Sequence, residues 1–312
     1  MTESLRFEAV TKRYGGLTAL DGVSFAAEAG QVVGLLGPNG AGKSTLIKLA
    51  IGLIGADSGT VSTLGHSPRG RGARALRAEI GYLPENVSFY DQLTGREVLR
   101  YLGRLKKVPD AEQRGLIERV GLGAASERKV KTYSKGMRQR LGLAQAILGR
   151  PRLLLMDEPT GGLDPMAVRD FYMIIGNLRQ DGVSVLLSSH VLAEIEPRLD
   201  RAVVLGQSRV LAAGSVAEMR RNAQLPVTVR VRGRITDSER LSRLQRAGAS
   251  VRHVNGTRME IETLAHAKVD VLRTVLDAPG VKDVEVLEPT LETLYAHIAA
   301  SAQQEASPCI RP

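Results

Sequence analysis

The run Gly37-Pro38-Asn39-Gly40-Ala41-Gly42-Lys43-Ser44-Thr45 has the residue types and spacing needed to hold phosphate. It fits G-x-x-x-x-G-K-[ST]. Glycines let backbone N–H groups turn inward around phosphate oxygens, and a helix N-terminus favours the negative charge. Lys43 can reach β- and γ-phosphates, and the Ser44 hydroxyl can hold Mg²⁺. A second group stands far along the chain, in Leu153-Leu154-Leu155-Met156-Asp157-Glu158-Pro159-Thr160. Four apolar residues read as a buried strand that ends in two acids. Asp157 can hold Mg²⁺ directly or through water, and Glu158 can polarise an attacking water as general base. Carboxylates are seldom buried unless paired or on metal, so an exposed turn after a strand is the weaker reading. Between the two groups, Ser134 and Gly136 precede a helix with Leu141, Ala144 and Leu148 on its apolar face. A Ser and a Gly at a helix start make another phosphate site, although alone they are ordinary capping.

These residues need elements to position them. Gln31 to Leu36 reads as a buried strand before the glycine loop, and Leu46 to Ile51 as an apolar-faced helix after it. Ser4 to Val10 and Leu17 to Ala29, joined by a turn at Tyr14-Gly15-Gly16, read as an antiparallel pair. Residues 95–150 are helix-rich. Leu153 to Met156 and Val183 to Leu187 are short apolar runs that suit buried parallel strands, and Arg201 to Leu205 returns to β structure. The expected fold class is therefore α/β, a P-loop domain with a mixed sheet over residues 1–222 and a helical subdomain at about 90–150. A boundary is expected at Asn222 to Pro226. Beyond it, over 226–300, the order β-α-β-β-α-β fits a small ferredoxin-like module. The last helix is expected from about Thr290 to Ser301, with a disordered tail over 301–312.

Composition narrows the function classes. A chain of 312 residues suits about two domains. No apolar run reaches the roughly 18–20 residues of a spanning helix. The N-terminus, Met1 to Glu8, is too charged for a signal peptide, so the chain is expected in the cytoplasm with ATP. Cys309 is the only cysteine, which excludes an internal disulfide and a cysteine metal cluster. His66, His190, His253, His266 and His297 show no paired ligand spacing. The net charge is +10, and residues 101–150 carry 12 Lys/Arg against 4 Asp/Glu. Such a block suits acidic lipid or an acidic partner as well as plain solvation. Trp is absent and aromatics are few, so nucleic acid is not an expected partner.

The order of these motifs resembles the nucleotide-binding subunits of ABC transporters. Gly37 to Thr45 looks like their Walker A, Leu153 to Glu158 like Walker B, and Ser134-Lys135-Gly136-Met137 like the signature motif. Gly161-Gly162-Leu163-Asp164 resembles the D-loop, and Ser188-Ser189-His190 the switch histidine. Tyr14 resembles the aromatic that stacks on adenine. The resemblance implies ATP and Mg²⁺ as cofactors, a homodimer that sandwiches ATP between one subunit's Lys43 and the other's Ser134, and a separate integral membrane subunit. It also implies binding contacts from Lys135, Gly136 and Asp164, and a catalytic set of Glu158, His190 and Lys43. Two departures stand out: Lys135 and Met137 replace a Gly and a Gln of the usual signature, and Glu85 stands where the family generally has a Gln, as a candidate Mg²⁺ ligand beside Ser44 and Asp157. Within the family, Gly81 to Tyr90, Leu93 to Glu97, Lys131 to Ala146 and Glu288 to Tyr295 are similar to the ATPase subunits of NosDFY systems, which serve copper-site assembly in nitrous oxide reductase. That likeness implies a NosY-like membrane subunit, a periplasmic NosD-like protein beyond it, and a peripheral place on the cytoplasmic face of the inner membrane. Exporters of a drug, lipid or polysaccharide are the alternative, and a soluble ATPase of DNA or ribosomes is a more distant one.

Overall fold

The computed structural model describes residues 3–255 and 257–306, and they form two compact units divided between Ser215 and Val216. The first unit opens with β1 (Glu3–Tyr14) and β2 (Leu17–Glu28), an antiparallel pair that ends with Tyr14 opposite Leu17. Phe7 and Phe25 stack across it with ring centroids 4.7 Å apart. Then come β3 (Val32–Leu36), α1 (Lys43–Ile51) and β4 (Ser58–Thr63), the last of which pairs with the other side of β1. α2 (Ala73–Ala78) and β5 (Ile80–Leu83) lead to the helical stretch of α3 (Gly95–Lys106), α4 (Asp110–Arg119) and α5 (Lys135–Ile147). Thr94 and Glu97 close a reciprocal capping box at the start of α3.

The chain then returns through β6 (Leu153–Met156), α6 (Pro165–Gln180), β7 (Ser184–Ser189), the short α7 (Leu192–Ile195), β8 (Arg201–Gly206) and β9 (Arg209–Gly214). A six-stranded sheet forms in the order β5-β6-β7-β3-β8-β9. All its neighbours are parallel except β8 and β9. Every residue of β3, β6 and β7 is buried, which explains their unbroken apolar runs. Leu36 is level with Ser189, and Met156 with Leu187. The glycine loop, the Asp157-Glu158 pair and Ser188 to His190 therefore all leave the same carboxyl edge of adjacent strands, where ligands of open α/β sheets bind.

The second unit holds α8 (Val216–Ala223), β10 (Val227–Gly233), α9 (Ser238–Arg246), β11 (Ser250–Asn255), β12 (Arg258–Thr263), α10 (Lys268–Leu276), β13 (Val281–Leu287) and α11 (Leu291–Ala306). Its sheet runs β11-β12-β10-β13, all antiparallel, which is the split βαβ arrangement. Val229, Val231, Met259, Ile261, Val271 and Val275 fill its core. Two expectations shift. The division falls ahead of Asn222 because α8 belongs to this unit, where Arg220 Nε donates to the Pro289 carbonyl at 2.7 Å. Residues 301–306, expected in the tail, belong to α11, which continues to Ala306, and the remainder of that expectation lies outside the described residues. Among the described residues no helix is long and apolar enough to cross a membrane.

Candidate active site

The glycine loop joins β3 to α1 in a conformation that only glycine permits at its last turn. Gly42 has φ +101°, and a Cβ there would sit 2.5 Å from Leu20 Cδ2 and 2.7 Å from the Ala19 carbonyl oxygen. Helix α1 starts at Lys43 with no side-chain cap and no acid in its first turn. Its first N–H groups are thus left for an anion. The Lys43 side chain is buried, and its Nζ donates to the carbonyls of Gly37 at 2.7 Å and Pro38 at 3.2 Å. Its nearest carboxylate oxygen is Glu158 Oε1, at 3.6 Å. The ammonium is held in place by its own loop without a tight counter-charge.

The two acids after β6 are fixed by the neighbouring strand. Ser188 on β7 is fully buried, and its hydroxyl donates to Asp157 Oδ1 and accepts from the Glu158 N–H, both at 2.8 Å. Glu158 takes φ +45°, a left-handed conformation uncommon outside glycine. One carboxylate oxygen, Oε2, receives the His190 N–H at 3.2 Å and faces His190 Nδ1 at 2.6 Å. An acceptor at Nδ1 selects the tautomer that carries its proton there. The other oxygen, Oε1, is buried with no hydrogen-bond partner. Sequence reasoning gave Ser188 no role of its own, and its one signal was a hydroxyl at the end of an apolar strand.

Lys43, Ser44, Thr45, Asp157, Glu158 and Glu85 face a common cavity of about 240 Å³, with Pro38, Asn39 and Gly40 along one wall and Tyr14 at its margin. Gly37 and Ala41 support the loop from behind. A Cβ on Gly37 would lie 2.7 Å from the Leu205 carbonyl oxygen, and Ala41 is buried. Tyr14 is 46 % exposed, and Lys12 Nζ lies 5.6 Å from its ring centroid. Glu85 is exposed at the rim. Ser134, Lys135, Gly136 and Asp164 do not line this cavity. They form a second patch. Ser134 Oγ caps α5 by accepting from Met137 N at 3.2 Å, and Asp164 caps α6 by accepting from Ala167 N at 3.0 Å. A Cβ on Gly136 would meet Leu163 and Ala167, and the Lys135 ammonium lies against Gly162. Among the described residues no three His, Cys, Asp or Glu side chains cluster as a metal cage. A cation here would need phosphate oxygens to complete its shell, as Mg²⁺ commonly does.

This fold and loop define a P-loop ATPase of the ATP-binding cassette kind. Residues 20–161 match the family described as ABC transporter. The uncharacterised ABC transporter ATP-binding protein YdbJ of Bacillus subtilis is 42 % identical over 214 residues, covering 68 % of this chain and 69 % of YdbJ. The linearmycin resistance ATP-binding protein LnrL of the same organism is 31 % identical over 311 residues, covering 94 % of this chain and 97 % of LnrL. A solved ATP-binding subunit of an ABC transporter superposes with a TM-score of 0.65 at 33 % identity, covering 70 % of this chain and 92 % of that one. The chain belongs to the ABC transporter ATP-binding subunit family, whose members bind and hydrolyse ATP, dimerise and work with membrane permeases. These relatives are uncharacterised or drug-resistance ATPases, and none of them is specific to copper-site maturation.

Proposed function

We propose that the chain hydrolyses ATP at the cavity around Lys43 and drives an exporter of the drug-resistance kind. The observation that carries the chemistry is Glu158 Oε1, a buried carboxylate oxygen without a hydrogen-bond partner at the edge of the phosphate loop. Oε2 is occupied by His190, so Oε1 is the atom free to accept a proton from water. In the proposed reaction that water attacks the γ-phosphorus, its proton passes to Oε1, and the bond to the β,γ-bridging oxygen breaks to release ADP. The loop N–H groups and Lys43 hold the β- and γ-phosphates. Ser44 and Asp157 suit Mg²⁺, with Glu85 as a further candidate; the ion when bound would neutralise charge between those phosphates. Tyr14 stacks on adenine. Ser134, Lys135, Gly136 and Asp164 serve the nucleotide of a second copy, which accounts for a patch of phosphate-type residues away from their own cavity.

The likeness to LnrL, a linearmycin resistance protein, extends over nearly the whole length of both chains, and this favours export of a drug as the cargo class. A second reading, an ATPase similar to NosF acting with NosY-like and NosD-like partners in copper-site maturation, rests on the Pro84-Glu85-Asn86 segment and the Tyr133-Ser134-Lys135-Gly136 signature. In both, the chain sits peripherally on the cytoplasmic face of the inner membrane and passes motion to a permease. Glu158→Gln tests the chemistry: ATP binding persists, turnover falls about 10²–10⁴-fold, and the ATP-bound dimer accumulates. Near-normal steady-state hydrolysis would remove Glu158 as base. A host strain carrying Lys43→Ala tests the cargo. Heightened sensitivity to antibiotics with a copper-loaded nitrous oxide reductase supports the exporter, and the opposite pattern supports the second reading.

A further inference from the structure

A second connection joins the segments that carry Glu158 and His190. Thr160, two positions after Glu158, is buried, and its hydroxyl donates to Glu194 Oε2 at 3.4 Å. Glu194 lies on α7, which begins just past His190. Its carbonyl accepts from Arg198 Nη1 at 2.5 Å. The Arg198 guanidinium sits 4.5 Å over the ring of Tyr172, a buried residue of α6. The Tyr172 hydroxyl is buried without a hydrogen-bond partner, beside a Thr160 hydroxyl already turned to Glu194. Burial pushes its pKa up to about 12, against a lowering influence of the neighbouring Thr160 hydroxyl, so it remains neutral at physiological pH.

We infer that Thr160 and Glu194 are positioning residues that set the distance between Glu158 and His190, with Tyr172 and Arg198 as the wall against which they are held. Glu158 and His190 leave adjacent strands and then enter separate turns. Their direct contact at 2.6 Å links the side chains, but the turns beyond them need their own tie. The Thr160–Glu194 bond supplies it, between residues that do not line the cavity. A long hydrogen bond in a part-buried setting is sensitive to small displacements, and the orientation of a general base is sensitive to them too. Neither residue touches the cavity, so both act through Glu158 and His190.

The inference rests on the proposed roles of Glu158 and His190. Its test is ATP turnover by the full chain. Thr160→Val keeps shape and removes the donor; Glu194→Ala removes the acceptor from a partly exposed site and carries the test if Thr160→Val does not fold. Each is expected to lower kcat about tenfold with KM within about twofold, while Thr160→Ser and Glu194→Gln restore most of the rate. In a His190→Ala background the same changes should cost less than about twofold further, because coupled residues are not additive. Equal losses in both backgrounds, failure of Thr160→Ser to rescue, or a pure rise in KM would overturn the inference. A Glu158→Gln variant with near-normal turnover would instead overturn the underlying reading. A dead Glu158→Gln with additive Thr160 and His190 losses would remove only the positioning role.

Discussion

His190 Nδ1 lies 2.6 Å from Glu158 Oε2, although 32 positions separate the two residues. The contact takes one carboxylate oxygen and leaves the other free toward the phosphate loop. Removing the imidazole would leave Glu158 able to rotate and to lose its orientation. His190→Ala is expected to lower kcat about 10²-fold with a smaller change in nucleotide affinity. Steady-state hydrolysis and binding of a fluorescent ATP analogue measure the two separately. A kcat within about twofold of the parent would make the contact incidental.

Ser188 is the next residue to probe. Its hydroxyl satisfies Asp157 and the strained Glu158 backbone together. Ser188→Ala leaves a buried carboxylate and a buried N–H short of a partner, at a cost of about 1–3 kcal/mol. Thermal unfolding should occur several degrees lower, and kcat should fall as Glu158 loses its fixed backbone. Unchanged unfolding would mean that water replaces the hydroxyl without loss.

Gly42→Ala should abolish nucleotide binding at modest concentration. The left-handed φ and the close approach of Leu20 and the Ala19 carbonyl each oppose a Cβ. The loop would have to open at the point where Lys43 begins α1. Ligand-induced stabilisation reads this directly: added ATP should raise the unfolding temperature of the parent and not of the variant. A retained ATP shift would show that the loop tolerates the side chain.

Tyr14→Ala should raise KM for ATP and leave kcat at saturation nearly intact. An aromatic face on a base contributes about 1–3 kcal/mol by alanine substitution. Stacking is felt equally by ground and transition states, so its loss appears in binding. A purely kcat defect would move Tyr14 out of the adenine role.

The sequence alone determined the pieces whose physics is local. Gly37 to Ser44 is legible because glycine torsions, a helix start and a lysine at fixed spacing make a phosphate loop within a few residues. The strands β3, β6 and β7 are legible because burial on both faces requires unbroken apolar runs. In the second unit, β10 reads through its alternation of Val227, Val229 and Val231 with polar residues. Other features depend on neighbours distant in sequence. Helix α8 joins the second unit through Arg220 and Pro289, so the division falls at Ser215/Val216, ahead of the change of periodicity near Pro226. The short α7 has too few residues for a periodic signal. Strand order was decided only by tertiary packing. With β7 between β6 and β3, Ser188 reaches Asp157, His190 reaches Glu158, and Glu158 comes within 3.6 Å of Lys43. The apolar runs specify that these strands are buried, but they are too alike to specify which lies beside which. That choice is made by the whole core, and it turns three separate motifs into one site.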